Sequence, residues 1–166
     1  MFRTMAIASA LVLVTSLTAA AQSKQVTEPE ARTLNLSAYV ELLRGELRTE
    51  KVAIITQVMG FSEAEDKAFW PIYREYDVAM AKLGDERTEL IQTYAKNYSN
   101  LTDTVADQLA TRAMDLQSKR NSALAACYEK VKKATSPRTA LRFLQVEHQL
   151  LLLIDLQIAA SLPIVE

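Results

Sequence analysis

Three residues that could do chemistry sit in the most apolar stretch outside the N-terminus. They are Glu147, His148 and Asp155, within "FLQVEHQLLLLIDL" from Phe143 to Leu156. His148 is the only histidine of the chain. A histidine beside a carboxylate suggests metal ligation or proton transfer. A zinc site, however, wants three or four ligands, and no cysteine stands near His148. The reading preferred for His148 is therefore a partly exposed, hydrogen-bonded side chain. Nucleophilic catalysis has less support, since no G-x-S-x-G, H-E-x-x-H or Cys–His spacing occurs. Glu63/Glu65 and Asp85/Glu86 read as solvated helix faces, and the tyrosines Tyr73, Tyr76, Tyr94 and Tyr98 as a seam with polar tips. The sequence thus points to a protein that is not an enzyme and calls for no metal or other cofactor.

At about 100° per residue, Phe143, Leu144, Leu150, Leu151, Ile154, Ile158 and Leu162 share one arc of a helix. Glu147 falls inside that arc, and His148 and Asp155 lie at its edge. A carboxylate in a buried stripe is costly unless it is paired. The expected partners are Arg120, Arg87 or both, because each interrupts an otherwise apolar heptad seam. A membrane span is not expected, since the uncharged run between Glu147 and Asp155 is too short.

The elements that must position these residues are all helical. Only 3 Gly and 4 Pro occur among 166 residues, which favours a few long helices with short connections. The first helix is expected from about Ser37 to Met59, with Val40, Leu43, Leu47, Ile54 and Val58 inward and Gly60 at its C′ position. Ser62 and Glu65 form a capping box for the second. Its seam runs Phe69, Tyr73, Tyr76, Met80, Leu83, Arg87, Leu90 and Tyr94, with Pro71 kinking rather than breaking it. Thr102 or Asp103 caps a third helix to about Lys133, with Val105, Leu109, Ala113, Leu116, Arg120, Leu124, Cys127 and Val131 inward. Ser136 as N-cap and Pro137 at N1 open the fourth, to about Ser161. The expected fold is an elongated antiparallel bundle of four helices, the second and third longest. Thin and short of partners for its apolar faces, it would dimerise.

Residues 1–21 read as a secretory signal: Arg3, an apolar core, and Ala19 and Ala21 in an A-x-A pattern before Gln22. Residues 22–36 read as a polar leader, and 37–162 as one helical domain. Removing residues 1–21 takes away one charge, Arg3, and leaves 18 basic against 20 acidic residues. No basic excess points to nucleic acid or anionic lipid. The lone Cys127 allows no internal disulfide. It reads as a small buried hydrophobe, with an intermolecular bond or free thiol as the alternative.

Helices that open on an apolar–Ser/Thr–x–x pattern, in an exported all-helical chain, resemble the Spy/CpxP-like periplasmic proteins and their L-T-x-x-Q element. "FSEAE" at Phe61–Glu65 has Phe for Leu, Ser for Thr and Glu for Gln. "LTDTV" keeps Leu101 and Thr102 but has Val105 for Gln. The resemblance implies a curved helical homodimer in the bacterial periplasm, acting as an ATP-independent chaperone or envelope-stress protein. Relatives that bind or sense heavy metals make a metal-responsive sensor one alternative. A structural adaptor with one specific protein partner is the other.

Overall fold

The computed structural model describes residues 50–164. The segments read as a signal and a leader, and the expected start of the first helix, lie outside them. Within them the protein is all-α, with four helices and no strand. Residues 50–59 form the described part of α1. Then come α2 (Glu63–Asn97), a 3-10 turn (Tyr98–Asn100), α3 (Asp103–Ala134) and α4 (Pro137–Ser161).

The boundaries follow local chemistry. Gly60 takes φ 53°, the left-handed conformation that ends a helix and that side chains with a Cβ disfavour. Ser62 caps α2, accepting from the Glu65 amide while the Glu65 side chain accepts from the Ser62 amide. Thr102 caps α3 through the Val105 amide, and Ser136 caps α4 through the Thr139 amide, with Pro137 opening the helix. Helix α2 runs through Pro71 without a break, and Pro71 lies on its exposed side, so the carbonyl that loses its partner can face water.

Ion pairs fix the directions. Lys130 meets Glu75 and Lys119 meets Glu86, so α2 and α3 run antiparallel. Contacts of α4 with α2 climb both helices together: Thr139 with Glu65, Glu147 with Tyr76, Asp155 with Arg87. Thus α2 and α4 run parallel. Their backbones stay more than 8 Å apart, as diagonal members of a bundle do, while α3 packs against both.

The core is densest near the α1–α2 turn. Phe69 and Phe143 meet edge to face at 5.3 Å between ring centres, and Tyr73 stacks on Phe69 at 5.6 Å. Ile55, Met59, Leu124, Cys127 and Val131 close around them. Cys127 is free and buried, and burial pushes its thiol up to about 12, with the Glu147 carboxylate adding to the shift. It packs as an inert hydrophobe at neutral pH.

Three expected faces are corrected. In α1, Ile54 and Val58 are exposed, and Lys51, Ile55 and Met59 turn inward instead. The inward set steps by four and contains a lysine, so apolar counting passed over it. In α2 the buried face moves from Tyr76 to Thr88 and Ile91 rather than staying on Leu90 and Tyr94. A straight helix drifts about 20° per heptad from a 3.5-residue repeat, which shifts the seam by one position over its length. In α3 the seam holds from Leu116 to Val131, but Ala113 is exposed and Val105 and Leu109 only half-covered.

The α1–α2 turn is tied to the start of α4. Thr139 donates to Glu65 Oε1 at 2.6 Å, Ser136 donates to the Thr139 hydroxyl at 2.9 Å, and Arg142 donates to the Met59 carbonyl at 2.7 Å. The Thr139 bond, then the bonds from Ser62, hold the Glu65 carboxyl below its ordinary 4.5. Lys130 holds Glu75 low in the same direction. A carboxyl lowered by folding stabilises the native state above its unfolded value and loses that contribution as pH falls through its folded value. The thermal midpoint is expected to drop on acidification through and below pH 4.5. Glu65→Gln is expected to lower the midpoint at pH 7 and to flatten the acid slope, with Glu75 supplying the remainder. Identical slopes for the two proteins in a calorimetric pH series would contradict this role for Glu65.

Candidate functional site

Two polar centres lie inside the bundle, one above the other along α4. The upper is Glu147, whose side chain is 0% exposed. Lys51 Nζ donates to its Oε1 at 2.6 Å and Tyr76 Oη donates to the same oxygen at 2.8 Å. The lysine ammonium also lies 5.9 Å from the ring centres of both Tyr73 and Tyr76, within cation–π range. Burial, then the Glu147 charge, raises the Tyr76 phenol well above its ordinary value, so it stays a donor. Glu147 Oε2 has no hydrogen-bond partner among the described residues.

The lower centre is Asp155. Arg120 binds it with two N–H donors, at 3.0 and 3.1 Å, and Arg87 donates to Oδ1 at 2.5 Å. Arg120 is further held by Gln117. The two-pronged geometry is the strong form of arginine–carboxylate pairing.

These positions correct the expected pair. Glu147 does not meet Arg87 or Arg120; both arginines meet Asp155. Angle around α4 selected Glu147, but level along the bundle decides the partner. Arg120 lies fifteen residues before Thr135 at the α3–α4 turn, so an antiparallel partner belongs at about residue 151–155, well beyond Glu147. Counting from the turn is the sequence signal that locates Asp155. Lys51 carries no such signal, because it occupies an inward position that apolar periodicity leaves empty.

His148 is exposed and forms no hydrogen bond or ion pair among the described residues. Nor do any three His, Cys, Asp or Glu side chains there come together as a metal site. Tyr76 joins Glu147, whereas Tyr94 and Tyr98 donate to the carbonyls of Pro163 and Ile164 and hold the end of α4 against α2.

Among the described residues, two open surfaces stand out. The first is a cleft of about 600 Å³ between the second half of α2, the first half of α3 and the end of α4. Leucines and alanines form its walls, and Arg87, Arg120 and Asp155 lie at one margin. The second is the outward face of α4. Leu141, Leu152, Leu153 and Leu156 are 51, 53, 57 and 66% exposed, more than half in each case. From Leu141 to Leu156 their 120° arc also holds Gln145, Gln149 and one charged residue, Arg142, whose guanidinium is held by the Met59 carbonyl.

Helix α4 is also long and apolar enough to cross a membrane, with a mean hydropathy of 1.2. Its two buried-side carboxylates are nevertheless paired by Lys51, Arg87 and Arg120 of three other helices. No family model, curated protein or solved structure matches the chain.

Removing one partner from a buried pair strands the other charge. Lys51→Met is expected to destabilise by about 3–5 kcal/mol in urea denaturation. Lys51→Met with Glu147→Leu should recover much of that loss, because neither charge then remains buried. An unchanged midpoint for Lys51→Met would show that the pair contributes nothing.

Proposed function

We propose that this protein is an exported, ATP-independent chaperone-like module that holds unfolded polypeptide on the outward face of α4. One observation carries the reading: four leucines on one arc of a single helix stand more than half exposed. Leu152, Leu153 and Leu156 cluster within five residues, and a clustered exposed apolar patch of this kind marks interaction sites. The glutamines beside the leucines can donate and accept, which suits a backbone of varied sequence rather than one fixed epitope. The signal-like N-terminus supports export to the periplasm, and "FSEAE" and "LTDTV" support the Spy/CpxP-like resemblance. Burial of the same face by a second copy would give the homodimer the resemblance implies.

The test is aggregation of a reduced or heat-unfolded model substrate, followed by light scattering without nucleotide. Suppression is expected at modest molar excess. Leu153→Glu with Leu156→Glu should abolish most of it while leaving helical circular dichroism and the melting midpoint unchanged, since both positions are exposed. No suppression at molar excess removes the proposal. A single stoichiometric partner in a pull-down would favour an adaptor, and a higher midpoint with zinc, copper or nickel would favour a metal-responsive sensor.

A further inference from the structure

The cleft shares none of the four exposed leucines of α4 and poses a separate question of occupancy. Its volume of about 600 Å³ lies within the range of small-molecule sites. Its shape follows from the sequence of α3. Where the other half of that helix presents Leu124 and Val131 to the core, this half presents Ala106, Ala110 and Ala113, which leave room beside α2 and α4.

Charge selects among ligands. The cleft is lined by two arginines and one aspartate, a surplus of one positive charge. Arg120 is occupied by Asp155 and Gln117. Arg87 gives a single recorded hydrogen bond, to Asp155, of the five its guanidinium can donate. Its side chain remains 23% exposed at the margin of an otherwise apolar trough. A cationic or neutral headgroup leaves that surplus unmatched; an anionic one completes it with charge-assisted hydrogen bonds.

We infer that the cleft binds a single-chain amphiphile with an anionic headgroup. The hydrocarbon chain lies between Leu90, Leu109, Leu116 and Leu162, and the headgroup meets the free edge of Arg87. This site is independent of polypeptide binding on α4.

The probe is dodecanoate, titrated calorimetrically into the purified, lipid-stripped chain below its micelle concentration. One site per chain is expected. Hexanoate, with too little hydrocarbon, and dodecyltrimethylammonium, with the opposite charge, should each bind at least about tenfold more weakly. Arg87→Gln should weaken dodecanoate by about tenfold. Ala110→Trp fills the trough from an exposed position and should abolish binding at an unchanged melting midpoint. Equal affinity for the anionic and cationic probes, full binding by Ala110→Trp, or association with phosphatidylglycerol vesicles without one-to-one dodecanoate binding would each overturn the assignment.

Discussion

A carboxylate removed from water must be compensated, and Glu147 is the most deeply enclosed charge described in this protein. Its compensation comes from α1 and α2 at once, through Lys51 and Tyr76. Three helices are thereby held at one level. The apolar layer above, with Phe69 and Phe143, and the polar layer below, with Asp155 between Arg87 and Arg120, take their heights from that point. Apolar contacts tolerate sliding by a turn. A buried ion pair does not, because sliding strands both charges. We regard the Glu147 centre as the feature that fixes register, as single polar residues do in coiled-coil seams.

The α2 contributors to these layers are Glu65, Tyr76 and Arg87, spaced by eleven residues. Eleven residues make just over three full turns, so all three point the same way. On α4 the matching residues are Thr139, Glu147 and Asp155, spaced by eight. Each layer therefore couples the diagonal pair α2 and α4, whose backbones do not touch. Polar and aromatic side chains long enough to cross the bundle perform that coupling.

This ladder divides what was legible in the sequence from what was not. Caps were legible, because Ser62, Thr102, Ser136 and Gly60 act within a few residues of themselves. The need for a buried carboxylate to find a cation was legible from the placement of Glu147. Its partner was not, because pairing depends on height along the bundle as well as on angle around a helix. Lys51 was hidden for a related reason: a lysine at an inward position looks like a surface residue until its carboxylate is located. The cleft was hidden too, since Ala113 fits a heptad as well as leucine does but leaves the seam unfilled.

Helix α4 shows how one sequence can satisfy the requirements of two environments. Its composition is apolar enough for a membrane, yet only 22% of its most apolar window is buried in the bundle. The core uses Phe143, Val146 and Ile158, and the polar layers use Thr139, Glu147 and Asp155. Leu141, Leu152, Leu153 and Leu156 serve neither. Four exposed leucines on one arc are more apolar surface than solubility alone favours, whereas scattered single ones would call for no explanation. The excess hydropathy of α4 is therefore located on one face, opposite Glu147, whose pairing with Lys51 anchors the helix.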